Sequence, residues 1–535
     1  MNLKNLLRFS FVPFIIFTGS IFVIIFIQND AVQFTDLGYN LIRNSVYQSQ
    51  YGVVPGWAQS PGWPILLGFF TSIFPLAYAA EIGTALVSLF LLYLFYWFVR
   101  REFGDSIATL SVVILCLNPE FLILSRSGLS EPLYALLLFI LFRQSYLLVF
   151  KKKEKTVKDA LLFSATTVFL LFTRSEGVLY VFLAGLIIFF VPKREKKNNT
   201  TFFQFENLLY LIVFFAVIAG SLFPYGTWVK SKCGSFHAFP KITYNMRVMN
   251  VARVLGGAKG ISTENETMYQ ELGWYALDSV TNDFYSANIL NDRYYREVKK
   301  RLNVHKPTRK AFVLLAKKNL TNLVKVLIRS NPFPLFFLIL IFLGFFFFFK
   351  EKRRELVFFV IWLVPSCYFL ISHVEERFFY VFLPYLSFIS AYGLHNLARR
   401  FDRYTIIVHV AVLILFFNSV YYYGIYYETL SQKEIYYEMA KRIKGEVSGQ
   451  EKICAKEFAT TFYSGNDYAK MPICSVENLS RYLKKNNAAY LLLGGEVFDL
   501  RKEFLPIYHE KLDRHFKLTA TFVNQDQTLK LFEVE

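Results

Sequence analysis

Long apolar runs constrain this chain more than any other feature of its sequence. Stretches of about 18 residues or more, the length that crosses a bilayer, recur along it. Hydrophobic residues make up 54% of the 535 residues and charged residues only 19%, whereas an ordinary soluble domain is roughly 25% charged. A soluble globule could not bury so much apolar surface, and disordered chains lack it. The composition therefore predicts a polytopic membrane protein.

The apolar runs predict a mainly α-helical bundle with about eleven transmembrane spans. The predicted spans lie near 9–28, 76–99, 105–123, 132–150, 159–173, 177–192, 207–228, 333–349, 356–372, 378–398 and 404–425. The first run is long and uninterrupted, and no small-residue cleavage site follows it. We therefore interpret it as a retained anchor and not as a signal peptide.

Lysine and arginine are distributed unevenly between alternate loops. With the N-terminus in the cytoplasm, the short cytoplasmic loops carry twenty of these residues, and the opposite short turns carry only Arg126, Arg174 and Arg377. Because basic loops stay in the cytoplasm, this asymmetry predicts an inside N-terminus and, with an odd number of spans, an outside C-terminus. It also accounts for much of the net charge of +19, so no nucleic-acid partner is predicted.

The residues after about Tyr426 have a different pattern. KICAK (452–456), MPICS (471–475) and AAYLLLGG (488–495) resemble short strands, VENLSRYLKKNN resembles a helix between them, and KLTATFV and TLKLFEVE alternate like a closing hairpin. This predicts a transmembrane module over 1–426, with outer loops at 29–75 and 229–332, and a soluble extracytoplasmic α/β domain over 427–535. A disulfide between Cys454 and Cys474 is one alternative on this oxidising side, and two thiols are the other.

The few charged residues on the predicted outer side lie at the ends of spans. Each short outer turn carries both an acid and a base: Arg126 with Glu131, Arg174 with Glu176, and His373 and Arg377 with Glu375 and Glu376. Asp30 and Asp36 follow the first span. These turns meet around one outward-facing cavity if the spans form a bundle; the alternative is a local ion pair in each turn.

This mixture of residues favours one chemistry. The planar donors of arginine match phosphate oxygens, and a carboxylate can take the proton from an attacking hydroxyl. Transfer of a sugar from a lipid phosphate needs both groups. Outside the cytoplasm no pool of nucleotide sugars is present, so a lipid-linked donor is the expected supply.

Five segments resemble, in order, motifs of one known group. They are NDAVQFTDLGYNLIRNSVY (29–47), SPGWPILLGFF (60–70), LNPEFLILSRSGLSEPLYALLL (117–138), FTRSEGVLY (172–180) and EERFFYVFLPYLS (375–387). The chain is similar to the GT-C superfamily of membrane glycosyltransferases, which use polyprenyl-phosphate sugars. The likeness is to the branch of aminoarabinose transferases, lipopolysaccharide-core transferases and protein O-mannosyltransferases. No WWDYG-like segment occurs, which argues against an oligosaccharyltransferase.

The resemblance implies roles for particular residues. Asp30 would be the catalytic base of an inverting transfer; the alternative is that it only caps a helix. Glu131, Asp36 and Glu376 would be acceptor-binding or supporting acids. Arg174 and Arg377, helped by Arg126 and His373, would bind the donor phosphate. The family often has two adjacent acids where this chain has Asn29-Asp30, so a divalent metal stays possible without support, and no other cofactor is expected.

The resemblance also implies the partners and the location. The donor would be a polyprenyl-phosphate hexose or pentose, and the acceptor a lipid, protein or polysaccharide hydroxyl. The protein would be surrounded by lipid in the bacterial plasma membrane, with its active site outside. Three alternatives remain: a transporter or lipid flippase, an O-antigen polymerase or ligase, and a scaffold for the C-terminal domain. The deep candidates that a transporter would use, Arg143 and His409, have no obvious acidic partner in the sequence.

Overall fold

The structure, a computed structural model, describes a large part of the chain. It covers residues 29–44, 60–75, 78–151, 156–190, 205–243, 335–365, 376–401, 404–447, 451–456, 458–471, 476–494, 504–510, 515–524 and 527–535, and the single residues 247, 292, 293, 296, 317, 320 and 321. The predicted first span, His373 and Cys474 lie outside these residues, so the predictions made for them stay predictions.

Helices form most of the described structure. Those before the C-terminal sheet are α1 (Asn29–Asn44), α2 (Gly62–Ile73), α3 (Ala79–Phe103), α4 (Asp105–Cys116), α5 (Pro119–Leu124), α6 (Glu131–Tyr146), α7 (Val157–Thr173), α8 (Val178–Phe190), α9 (Phe205–Cys233), α10 (Leu335–Glu351), α11 (Arg353–Leu363), α12 (Leu383–Arg400) and α13 (Tyr404–Glu446). Short 3₁₀ segments at Ser175–Gly177 and Glu376–Phe382 precede α8 and α12, and a π-helical turn at Leu147–Lys151 follows α6.

Five helices among the described residues are long and apolar enough to cross a membrane. They are Ala79–Phe103, Glu131–Lys151, Leu208–Cys233, Arg377–Arg400 and Tyr404–Tyr422. Shorter apolar helices occupy Gly62–Ile73, Asp105–Cys116 and Ser175–Ile187. The prediction of a mainly helical protein with apolar helices of membrane-crossing length is confirmed, whereas the number of spans and their orientation stay predictions.

The predicted span 105–123 is not one continuous helix. α4 ends at Cys116, and α5 begins at Pro119 after an Asn118 cap, whose side-chain oxygen accepts a hydrogen bond from the Phe121 backbone N–H at 3.1 Å. Proline cannot donate its own backbone nitrogen and prefers the first turn of a helix, so it restarts the helix here. The apolar run hid this break because hydropathy does not register a capping residue.

The C-terminal region forms the predicted small sheet. The elements are β1 (Lys452–Ala455), α14 (Phe458–Ser464), β2 (Asp467–Lys470), α15 (Val476–Lys485), β3 (Ala488–Gly494), α16 (Leu505–Tyr508), β4 (Phe516–Asn524) and β5 (Gln527–Val534). The strand order is β2-β1-β3-β5-β4. β1 pairs in parallel with β2 and β3, and β5 pairs antiparallel with β3 and β4. The predicted closing hairpin is therefore present.

The second strand of the sheet was not predicted from the sequence. It is DYAK at 467–470, directly before the predicted strand MPICS at 471–475, for which the prediction stays a prediction. Tyr468 and Ala469 supply its buried positions, at 7% and 5% exposure, and face Ile453 and Cys454 of β1. The charged residues at the two ends of this short strand concealed it. Only Met471 of the predicted segment is described, and its backbone N–H still bonds to the Ala455 carbonyl at 3.1 Å.

The described residues divide into two compact units. The bundle unit contains those of Ala80–Phe223 and Pro307–Tyr427, and the sheet unit contains those of Ile27–Ala79, Pro224–Lys306 and Glu428–Glu535. In the bundle unit, aromatic rings such as Phe98, Phe142 and Trp362 fill the core. In the sheet unit, the end of α13 covers one face of the sheet and α15 covers the other. Each unit thus has its own apolar core.

Candidate active site

Two of the predicted outer turns meet the N-terminus of α6 in the bundle unit. Glu131 is the first residue of α6, and its carboxylate oxygen Oε1 accepts a hydrogen bond from Nη1 of Arg174 at 2.6 Å. Nε of Arg377 lies 3.7 Å from the same oxygen. Arg174 has an extended backbone between α7 and the 3₁₀ turn, with φ −147° and ψ 130°. Residues that are 43 and 246 positions from Glu131 in sequence therefore converge on one carboxylate oxygen.

A local ion pair exists beside this long-range contact. Nη2 of Arg174 lies 3.4 Å from Oε1 of Glu176, two residues further on. The local alternative for this turn is thus present, but the contact between turns is 0.8 Å shorter, the difference between 3.4 and 2.6 Å. The arginine therefore joins two turns and does not only neutralise its own.

Burial differs between the members of this cluster. The side chain of Glu131 is 3% exposed, while Arg174 is 15% and Arg377 is 31% exposed. A nearly buried carboxylate thus contacts two guanidinium groups that are partly exposed to solvent. The exposed parts of the two guanidinium groups carry N–H donors, which match the oxygens of an anion such as phosphate.

Two aromatic rings hold Arg174 in place. Its guanidinium carbon lies 5.8 Å from the ring centre of Tyr134 and 5.4 Å from that of Phe378. Tyr134 is one turn after Glu131 on α6, and Phe378 directly follows Arg377. Cation–π contact at these distances stabilises the guanidinium and restricts its rotamer. Neither ring was predicted from the sequence to contact Arg174. The spacing of three residues between Glu131 and Tyr134 is the signal that marks Tyr134.

Arg126 lies in the turn after α5. Its side chain is buried, and its Nε donates to the Leu122 carbonyl oxygen at 3.4 Å. Gly128 in the same turn has a positive φ of 71°, which a glycine adopts without strain. Its N–H lies 3.4 Å from the hydroxyl oxygen of Thr84 on α3. The turn that carries Arg126 is therefore held by two hydrogen bonds between a side chain and a backbone group, one to α5 and one to α3.

A buried tyrosine connects the segments that carry Arg377 and Arg126. The hydroxyl of Tyr380 lies 3.1 Å from Oγ of Ser88 on α3 and 3.2 Å from Oγ of Ser125. Its ring stacks on Phe121 at 5.3 Å between centres. Tyr380 is fully buried, so losing these partners would leave a polar group unsatisfied. Tyr380 was not predicted from the sequence as part of the site; a serine within the apolar helix α3 was the available signal.

The acids of the first outer loop lie on α1 in the sheet unit. Asp30 is the second residue of α1, and its side chain lies outside the described residues. Asp36 is fully buried, and Nδ2 of Asn40 donates to it at 3.4 Å. A side chain at Gly38 would clash with the Pro64 carbonyl and with the Gly68 nitrogen at 2.7 Å. Gly38, which lies in the segment 29–47 that resembles the family motif, therefore permits close packing of α1 on α2. α1 also contacts α14 of the C-terminal region.

Two further predicted site residues, Glu376 and His373, have side chains that lie outside the described residues. Glu376 begins the 3₁₀ segment before α12, and all of His373 lies outside the described residues. Among the described residues no group of three or more histidine, cysteine, aspartate or glutamate side chains is placed to hold a metal ion.

The comparisons with known proteins give the family. The profile of the Alg9-like mannosyltransferase family matches residues 37–236 and 329–465, which is more than half of the chain. The chain belongs to this family. It is therefore an integral-membrane glycosyltransferase of the GT-C type, as the five sequence segments predicted. The matched ranges include Arg126, Glu131, Arg174 and Arg377, whereas Asp30 and Asp36 lie just before the first range. A search of curated proteins by sequence gave no significant match.

Solved structures share the fold. ArnT from Cupriavidus metallidurans, bound to undecaprenyl phosphate, superposes with a TM-score of 0.58 at 11% identity, over 99% of this chain and 98% of that chain. The oligosaccharyltransferase of Archaeoglobus fulgidus in its apo form gives a TM-score of 0.55 at 14% identity, over 97% of this chain and 73% of that chain. The archaeal oligosaccharyltransferase AglB from Archaeoglobus fulgidus, in complex with an inhibitory peptide and a dolichol-phosphate, gives a TM-score of 0.55 at 13% identity, over 96% of this chain and 72% of that chain.

Proposed function

We propose that this protein moves a sugar from a polyprenyl-phosphate-linked donor to an acceptor hydroxyl, with inversion, at the outer face of the bacterial plasma membrane. The observation that carries the proposal is the convergence of Arg174 and Arg377 on Glu131 in a chain of the Alg9-like family. Two solved proteins of similar fold are bound to undecaprenyl phosphate and to a dolichol-phosphate. Both carry the phosphate headgroup that a pair of partly open arginines is suited to bind.

The two arginines bind the donor phosphate. As the bond between the anomeric carbon and the phosphate oxygen breaks, negative charge develops on the leaving group. Guanidinium groups already held in place stabilise that charge without reorganising at the moment of reaction. Tyr134 and Phe378 supply this preorganisation for Arg174. Arg126 and His373 support the same charge.

Asp30 acts as the base. It takes the proton from the acceptor hydroxyl, whose oxygen then attacks the anomeric carbon from the face opposite to the phosphate, so that the configuration inverts. A carboxylate near the membrane surface loses hydration, which makes it a stronger base. Glu131, Asp36 and Glu376 are the supporting acids. The acceptor is a lipid, protein or polysaccharide, and the transferred sugar is a hexose or a pentose.

The two parts of the sequence have separate tasks in this proposal. Residues 1–426 form the transmembrane catalytic module, and residues 427–535 form an extracytoplasmic domain. The contact between α1, which carries Asp30, and α14 of the C-terminal region supports a role for that region in holding the catalytic helix.

The test is a transfer assay with purified full-length protein. The protein is incubated with a panel of polyprenyl-phosphate sugars and candidate acceptors, and products are identified by mass and anomeric configuration. We expect Asp30→Asn to lower turnover by about 10²-fold or more, as expected when a general base is lost. The matched control is Asp105→Asn, which removes an aspartate that pairs with Arg100 at 2.8 Å at the start of α4; it should retain activity.

Two results would contradict the proposal. Full transfer by correctly inserted Asp30→Asn protein would show that Asp30 is not the base. Absence of any sugar product from the whole panel, together with no binding of polyprenyl phosphate to the native chain, would remove the proposed donor class.

A further inference from the structure

Glu131 contacts both of the arginines that are proposed to bind the donor phosphate. Its carboxylate oxygen Oε1 lies 2.6 Å from Nη1 of Arg174 and 3.7 Å from Nε of Arg377. A phosphate and a carboxylate present similar oxygen pairs to a guanidinium fork. An anion that enters between the two arginines must therefore share them with Glu131 or displace it.

The charges of the cluster favour competition over simple support. Among the ion pairs described, the two positive charges of Arg174 and Arg377 face the two negative charges of Glu131 and Glu176. These carboxylates weaken the attraction of the two arginines for a phosphate. Because Glu131 is 3% exposed, its charge is poorly screened by water and acts strongly on any anion beside it.

The two arginines differ in how firmly they hold the acid. Arg174 makes the short contact and is clamped by Tyr134 and Phe378. Arg377 makes the longer contact and is twice as exposed, at 31% against 15%. Arg377, which also lies over the Phe378 ring at 5.9 Å, is therefore the more accessible of the two arginines to a phosphate, and Arg174 makes the shorter contact with Glu131.

We propose that Glu131 is an internal competitor of the lipid phosphate and that it sets how quickly the spent lipid phosphate leaves. This inference rests on the proposed function. A sugar-linked phosphodiester carries one negative charge, whereas the polyprenyl phosphate left after transfer carries up to two. Repulsion from Glu131 therefore acts more strongly on the product than on the donor. The acid weakens binding of the product and so promotes turnover.

The test distinguishes the negative charge of Glu131 from its role in orienting the arginines. Glu131→Gln keeps an oxygen that can accept from Arg174 but removes the charge. Binding of undecaprenyl phosphate and of inorganic phosphate is measured on full-length protein in lipid nanodiscs. For undecaprenyl phosphate we expect the Kd to fall about tenfold. With a competent sugar donor, steady-state turnover should slow relative to the first turnover, and inhibition by the polyprenyl phosphate product should strengthen.

The control is Glu176→Gln. It removes the same charge from the other side of Arg174, where the contact is 3.4 Å, and should tighten binding by only about threefold. If Glu131→Gln does not insert into the membrane, the Kd of Glu176→Gln for undecaprenyl phosphate tests the inference instead. Threefold tightening supports competition by the acids, and unchanged or weaker binding overturns it.

Other outcomes are equally decisive. Weaker binding of undecaprenyl phosphate to Glu131→Gln, with normal binding to the native chain, means that Glu131 only orients the arginines, and the inference fails while the proposed function stands. Tighter binding of inorganic phosphate without any change for undecaprenyl phosphate also overturns it, since the lipid would then bind elsewhere. Failure of the native chain to bind or use any lipid phosphate is the separate failure of the proposed function.

Discussion

Removal of Arg174 should lower the free energy of unfolding, because it breaks the ion pair with the buried Glu131 carboxylate. In Arg174→Gln, the Glu131 carboxylate keeps only the 3.7 Å contact with Arg377 among the ion pairs described here, and it remains 97% buried. Breaking a buried ion pair on one side costs about 3–5 kcal/mol. Because Arg174 is 15% exposed and Arg377 remains, we expect a loss of about 2–3 kcal/mol in the free energy of unfolding.

Glu131→Gln should partly rescue this loss. In the Arg174→Gln background it removes the uncompensated charge, so the double variant should be more stable than the sum of the two single variants predicts. We expect a coupling energy of about 1.5 kcal/mol or more from the double-mutant cycle. The assay is reversible unfolding in mixed detergent micelles, followed by tryptophan fluorescence.

The exposed pair Lys441–Glu438 provides the matched cycle. Its ions are 2.7 Å apart, close to the 2.6 Å of Arg174–Glu131, but its side chains are 56% and 55% exposed. Exposed pairs contribute only about 0.2–1 kcal/mol. Equal coupling energies in the two cycles would refute the reasoning, because burial would then not be the factor that gives Arg174 its importance.

Two further predictions concern packing and pH. Gly344→Ala on α10 should lower the thermal midpoint, at a cost of about 1–3 kcal/mol, because its methyl would overlap the Ile389 carbonyl of α12; Gly220→Ala, with nothing within 4 Å, should raise it, and the opposite order would refute the packing argument. The hydrogen bond from Arg247 lowers the pKa of Asp292 below its usual value. Its stabilising contribution is therefore complete above the pKa of an unfolded aspartate and is lost as pH falls through the lowered folded value, below about pH 4. Asp292→Asn should abolish that part of the pH dependence of the thermal midpoint, and an unchanged pH profile would contradict the assignment.

Part of the fold followed from local sequence. Apolar runs of bilayer length located helices such as α3, α6 and α12, because burial in lipid depends on the composition of a single segment. Alternation located β3 and the β4–β5 hairpin, since side chains of a strand point to opposite faces in turn. The break at Asn118 was missed because one capping residue is a weak signal within a long apolar run. The strand β2 was missed because it has only four residues and is charged at both ends.

The sequence by itself determined the class of protein and the residue types of the candidate site. Acid and arginine recur in each outer turn, and their order along the chain resembles one family; both are properties of the linear chain. Only the tertiary structure decided that the short contact of Arg174 is with Glu131, 43 residues away, and not with Glu176 two residues away. It also decided that Tyr380 joins Ser88 to Ser125. The reason is that such contacts depend on how helices rotate and cross, and this is set by the packing of all of them together.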